Sequence, residues 1–389
     1  MSKHEATESR LETLYQKSPL FFLLFTVLFA SLGYAGFLTL IFLPSVLGVL
    51  IYKWLHPNGF ATAWLFVVST TLSVYFSFRL QTHLPKVDAA AQGYLLTEAK
   101  GAQVFSLLKK LSSRLKAPMP NAILLTTEVN AAIIQMPRRG LFGKTQIALF
   151  IGWPLFESLS KEELSVVLAH ELAHSSGIRG KLIGWLIGLP EFWQQFQQSL
   201  LQQTTASDGV HHKIFRKYLI FLHNLTSIIS KHDEYEADLR AAAIFGKALV
   251  GEALIRVGTN SYFWEHFFLP GIFEEKNTYK ASEKNIFNQF EKQLSEATYA
   301  NFCEEFQQWV VRNALTSEKN HPSLTARIDA LGTHSISLPA HSQPSAAACF
   351  FGKDLPAIRK KMTAIWEASA QNCWRSNRSN EAEFGKTQR

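Results

Sequence analysis

Residues Ser160–Gly177 read SKEELSVVLAHELAHSSG, and this stretch decides what kind of molecule the chain is. Ser160, followed three residues later by Glu163, is a capping-box signature: each side chain satisfies a backbone amide that the first helical turn leaves unpaired. A helix is therefore predicted from Lys161, and Gly177 is placed to end it. On that helix His170 and His174 are four residues apart, so both imidazoles project from one face and can share a metal ion. Glu171 is offset by about one hundred degrees, where it can take a proton from a bound water without being a ligand. The surrounding helix, VVLAHELAH, is otherwise apolar. Two histidines and a carboxylate buried there are costly unless something satisfies them. The competing reading is a hydrogen-bonded structural cluster without metal.

A catalytic zinc needs three protein ligands and one open position. EYEAD at Glu234–Asp238 supplies the third ligand, Glu234, and one helical turn on, sharing its face, Asp238. Asp238 is suited to accept a hydrogen bond from a ligand histidine and fix its tautomer. Glu236 points elsewhere and reads as a surface charge. His232 has ligand chemistry but lies half a turn off the Glu234 face and is left out. One Zn2+ per chain is the cofactor expected. His211 and His212, in a polar stretch with no partner at ligand spacing, read as a solvated pair.

The formal net charge is +8, from 39 basic and 31 acidic residues, yet only 18% of residues are charged and 47% are hydrophobic. The basic residues are scattered and no nucleic-acid reading motif occurs, so no nucleic-acid partner is expected; anionic lipid headgroups are a simpler one. Between Lys17 and Lys53 no side chain is charged, a run longer than the roughly 20 residues needed to cross a bilayer. Pro44 and Gly48 mark the expected end of a first spanning helix. After HPNG at His56–Gly59, a second uncharged run, Phe60–Phe78, is just long enough to return. A signal peptide fits poorly, because the first run is too long and a second follows directly. Lys3, Arg10 and Lys17 precede the pair and Arg79, Lys86 and Lys100 follow it, so the positive-inside rule puts both ends in the cytoplasm. The three cysteines, Cys303, Cys349 and Cys373, suggest neither a disulfide framework nor a CxxC metal site and favour a reducing compartment.

Val104, Leu108, Leu111 and Leu115 repeat at helical spacing between Gly101 and Lys116. AILLTT at Ala122, AAIIQM at Ala131 and TQIALFIG at Thr145 read as three short strands, with PRRG as a basic turn after the second. The strand Thr145–Gly152 is the expected edge for pairing with an extended substrate. A long helical stretch from about Phe215 carries EYEAD. The chain after Ser345 reads as a tail, and the basic run Arg359–Lys361 faces lipid or water.

HELAH at His170, EYEAD at Glu234 and HPSLTARI at His321–Ile328 together resemble the HtpX-like and CAAX-prenyl-protease family of membrane zinc endopeptidases, with PNA at Pro120–Ala122 adding to the likeness. The resemblance implies zinc held by His170, His174 and Glu234, with Glu171 as catalytic base, Asp238 as an acceptor, and His321 and Arg327 near the reacting atoms. Its fold class is α+β, mainly helical: a zincin-like metallopeptidase domain with a small sheet, preceded by an N-terminal transmembrane helical hairpin. The expected organisation is a cytoplasmic tail (1–18), the hairpin (19–80), the metallopeptidase domain (81–345) and a C-terminal tail (346–389). The implied activity is that of a metalloendopeptidase of class EC 3.4.24, an integral multi-pass membrane protein with its catalytic domain in the cytoplasm. Its substrates would be membrane-associated or misfolded proteins or peptides. The alternatives are a CAAX-type prenyl-protein processing peptidase, a non-proteolytic zinc-binding membrane scaffold, and a soluble zincin whose apolar hairpin folds on its own core. Departures are modest: Ala173 stands where glycine is common, Ser323 where a second proline is, and Lys231 where arginine often precedes the glutamate.

Overall fold

The computed structural model describes residues 3–55, 64, 67–75, 93–141, 145–201, 210–274, 285–312, 321–333 and 344–370. They form a mainly helical fold with one four-stranded sheet: β1 (Tyr94–Leu95), β2 (Ala122–Thr126), β3 (Ala131–Leu141) and β4 (Thr145–Gly152), in the order β1-β2-β4-β3. β2 and β4 run parallel, with Ile123 opposite Leu149 and Leu125 opposite Ile151. Side chains alternate along a strand, so these four share one face and join the main core, while Leu124, Ala148 and Phe150 form a separate apolar cluster. Burial on both faces explains why neither run shows polar alternation. β4 lies between β2 and β3, so it is not the edge strand the sequence suggested; local pattern does not encode strand order. The outer strand on that side is β3, which runs through PRRG where a turn was expected.

The chain divides into two compact units, Met1–Val87 with Pro137–Lys144 and Leu182–His232, and Asp88–Met136 with Thr145–Lys181 and Asp233–Arg389. In the second unit the capping box forms as the sequence predicts. The Glu163 amide donates to Ser160 Oγ (3.1 Å), and the Ser160 amide donates to Glu163 Oε2 (2.8 Å). The helix they start, Lys161–His174, is buried along most of its length. Against it pack Ala102–Leu115, through Val104, Leu108 and Leu111, and Lys247–Phe263. From the latter, Arg256 Nε donates to Glu163 Oε1 at 2.8 Å, and the arginine is only 1% exposed.

The helix begun by the capping box stops at His174, earlier than Gly177. Ser175 turns the chain, its hydroxyl donating to the Leu172 carbonyl (2.9 Å), and Gly177, at φ +66°, opens the next helix, Gly177–Leu201. Gly180 then lies so close that a Cβ there would sit 2.5 Å from the His174 carbonyl oxygen. A side chain would have to displace backbone at that point.

The chain beyond Ser345 is no tail in its described part. Ser345 caps the helix Ala346–Phe351, residues 355–370 are helical, and Phe350, Phe351, Met362 and Trp366 are buried in the main core. Apolar residues at helical spacing dock this segment and extend the domain past residue 345. Of the basic run, Lys360 and Lys361 are exposed, whereas Arg359 is largely buried and holds Glu157 and Glu291.

The first unit joins the N-terminal helices, Lys3–Lys17 and Pro19–Leu55, to Leu182–His232, around Phe22, Trp193, Leu222, Leu225 and Ile228. The helix Pro19–Leu55 continues through Pro44, where an end was expected. Proline removes one amide donor, and the turns on either side carry the helix on. Among the described residues one segment, Pro19–Gly36, is long and apolar enough to cross a membrane. Of the expected second span, residues 67–75 are helical, with Ser73 Oγ 2.5 Å from Ser45 Oγ; residues 60–63, 65–66 and 76–78 of it lie outside the described residues. So do Cys373 and the side chains of His211 and His212.

Candidate metal centre

Two helices bring three ligand atoms together. His170 Nε2 lies 3.2 Å from His174 Nε2 and 3.3 Å from Glu234 Oε2, and His174 Nε2 lies 3.6 Å from Glu234 Oε1. The histidines come from Lys161–His174 and the glutamate from Val210–Phe245. The outer ring nitrogens face carboxylates: His170 Nδ1 is 2.9 Å from Asp238 Oδ1, and His174 Nδ1 is 2.6 Å from Asp233 Oδ2. A carboxylate accepts only from an N–H, so protons on both Nδ1 atoms leave both Nε2 lone pairs turned toward each other and toward Glu234. Three converging acceptors repel one another; a proton or a metal cation between them resolves the conflict. Ligands about 2.05 Å from a tetrahedral zinc stand about 3.3 Å apart, so the separations and the donor set both fit. His170, His174 and Glu234 are therefore a cluster able to hold a metal ion.

Carboxylates and a guanidinium fix this cluster from behind. Arg327, on the helix Leu324–Leu331, donates from Nε and Nη2 to both oxygens of Asp238 (2.8 and 2.7 Å), and its Nη1 lies 3.2 Å from Glu234 Oε2. Its side chain is largely buried. His321 Nδ1 lies 3.1 Å from Glu234 Oε1, with its own side chain 53% exposed. The structure thus gathers His170, His174, Glu234, Asp238, His321 and Arg327 around one point, with Glu171 on the same helix turn as the ligand histidines.

The charge states follow from this crowding. Burial works to lower the pKa of His170, but hydrogen bonds to Asp238 and Glu234 win and push it up to about 10. Glu234 is held far below the usual carboxylate range, since bonds from His170 and His321 outweigh its burial. Asp238 is likewise lowered, Arg327 and His170 overcoming burial. Burial raises Glu171, against the pull of His170 and His174. Without a metal, then, His170 carries a proton at neutral pH that a metal must displace. Zinc binding to the metal-free protein at pH 7–8 should release about one proton from this residue. Titration calorimetry in buffers of different ionisation enthalpy measures the number; zero would contradict the charge state described here.

Asp233 is the site residue that sequence reasoning missed. The other bystanders have partners of their own. Glu236 is half-buried between Arg179 and Arg240, not a free surface charge. His232 bonds Glu12 (3.0 Å) and stacks on Tyr15.

A crystal structure of Ste24p from S. mikatae is similar over 79% of this chain and 66% of that one, at 16% identity and a TM-score of 0.30. The chain therefore spans slightly less than two thirds of that protein. No curated protein matches it. The model of peptidase family M48 matches residues 98–335, a stretch that contains the three residues of the candidate cluster together with Glu171, Asp233, Asp238, His321 and Arg327. With that match spanning more than half of its length, the chain belongs to peptidase family M48.

Proposed function

We propose that the chain is a zinc-dependent endopeptidase acting on membrane-associated or misfolded proteins, with His170, His174 and Glu234 as zinc ligands and Glu171 as general base. The observation that carries this reading is the convergence of three acceptor atoms 3.2–3.6 Å apart, with both histidine Nδ1 atoms tied to carboxylates. A purely structural zinc site closes with a fourth protein ligand and needs no base. When bound, zinc supplies the positive charge that acidifies a water and polarises a scissile carbonyl. Glu171 takes a proton from the attacking water and returns it to the leaving nitrogen. Its raised pKa suits a group that must hold a proton between those events. His321 is the better placed donor to the developing oxyanion, because it is half exposed at the rim of the cluster. The Arg327 guanidinium is engaged with Asp238 and Glu234, so its role is to hold those carboxylates in place.

Substrate pairing passes from β4 to the outer strand β3, whose backbone groups suit an extended peptide. Backbone recognition of that kind carries little sequence preference. The apolar helix Pro19–Leu55 exposes Leu20, Phe21, Leu24 and Leu28 on its first half and Trp54 at its end, more apolar surface than water favours. With 37 residues it is about 55 Å long at 1.5 Å per residue, well over the roughly 30 Å hydrocarbon core. The reading is an integral membrane protein in which 19–80 form a hairpin and both ends stay cytoplasmic. The Ser45–Ser73 contact is the kind of small-residue polar pairing that joins membrane helices.

The test is proteolysis of an unfolded fluorogenic protein by purified, zinc-loaded chain in detergent. Cleavage should stop on chelation and return with zinc. Cleavage that survives complete metal removal would end the metallopeptidase reading. Turnover of prenylated peptides alone would redirect it to lipidated substrates.

A further inference from the structure

We propose that Asp233 is a positioning residue of the metal centre: through its 2.6 Å hydrogen bond it sets the tautomer and the direction of His174, as Asp238 does for His170. The inference rests on the metal-centre reading above and adds a residue to it.

The two histidines need such support unequally. His170 is buried inside its helix, with turns on either side. His174 is the last helical residue, followed by the Ser175–Gly177 turn, and its ring is the more exposed of the two, 22% against 11%. A ligand at a helix end has less packing to hold its rotamer, so an external partner carries more of that work. Asp233 is itself buried, which strengthens a hydrogen bond to an ionised acceptor. Nearby Arg179 and Arg240 are drawn to Glu236, leaving Asp233 Oδ2 on the imidazole. The helix geometry makes this division of labour possible. Successive residues are about 100° apart, so Asp233 and Asp238 lie on opposite sides of Glu234, at about −100° and +40°. One turn and a half of a single helix thus supplies a ligand and a carboxylate for each ligand histidine.

The experiment uses the full chain in detergent, stripped of metal, as the parent and as Asp233→Asn and Asp233→Ala. Asparagine keeps the shape and an acceptor oxygen and removes the charge; alanine removes both. Three quantities are read: zinc affinity by competition with a chromophoric chelator, the visible spectrum of the cobalt(II)-loaded protein, and the melting midpoint of the metal-free protein. Losing an outer carboxylate typically weakens metal binding about 10- to 100-fold. The expected result is a loss in that range, smaller for asparagine than for alanine, with an altered cobalt spectrum and unchanged metal-free melting. Zinc affinities within twofold of the parent and an unchanged spectrum would overturn the inference while the metal centre stands. Weaker binding matched by an equal loss of metal-free stability would overturn it too, as a general structural role. A parent chain that binds no zinc would remove the metal centre and this residue's role together.

Discussion

Glu171→Gln should lower the rate of peptide hydrolysis by about two to four orders of magnitude, while the variant keeps one zinc per chain. Glutamine has the size of glutamate but cannot take a proton from water at any working pH. In barrier terms the loss is about 3–5 kcal/mol. Metal content should stay constant because the ligand atoms belong to His170, His174 and Glu234, and residue 171 projects about 100° away from the histidine face. The measurement is initial cleavage rate of an unfolded fluorogenic protein, parent against variant, at zinc contents matched by atomic absorption. A variant retaining more than about a tenth of the parent rate, well short of the usual general-base effect, would place the proton transfer on another group. A variant that loses zinc would instead make residue 171 part of the metal's support.

The second large effect concerns stability. Arg256→Met should destabilise the fold by about 3–5 kcal/mol, although Arg256 touches none of the ligand residues. Arg256 Nε bonds Glu163 Oε1 at 2.8 Å, and the two side chains are 1% and 5% exposed. Methionine fills similar volume but leaves the carboxylate in a dry interior with the Ser160 amide as its remaining donor among the described residues. Glu163 is also the N3 residue of the capping box, so the disturbance reaches the start of the helix that ends in the metal ligands. Thermal melting of the metal-free protein should fall by on the order of 10 °C. Adding Glu163→Gln to the same chain should restore part of the loss, because it removes the orphaned charge rather than the helix cap. If the single variant melts with the parent, the buried pair contributes nothing net, and the helix start is held by Ser160 and packing alone.

Much of the centre was legible because helices print their geometry locally. His170 and His174 at i, i+4, Glu234 and Asp238 at i, i+4, and Ser160 with Glu163 at the helix start each follow from 3.6 residues per turn. All three pairs are present in the structure. Asp233 escaped for the same reason. Judged from the face that carries Glu234 it points away, and only the docking of two helices from distant parts of the sequence brings it to His174. Strand order escaped as well: β4 has the composition of any buried strand, and nothing in TQIALFIG says that β3 lies beyond it. Pro44 misled because the breaker rule describes isolated turns, whereas this proline sits within a long apolar helix. Past Ser345, a short apolar spacing was outweighed in the reading by a mixed composition, yet Phe350, Phe351 and Trp366 are core residues.

The route of the chain between the second and third ligands has a thermodynamic consequence. After His174 the backbone leaves its unit, contributes Leu182–His232 to the other, and re-enters at Asp233, next to Glu234. An ion bound by both His174 and Glu234 acts as a cross-link closing a loop of roughly 60 residues, for which chain-entropy arguments give about 4 kcal/mol. An ion held there would be a clasp as much as a reagent: it would lock the exit and the return of that excursion, and chelation should loosen the tether before it melts the helices themselves.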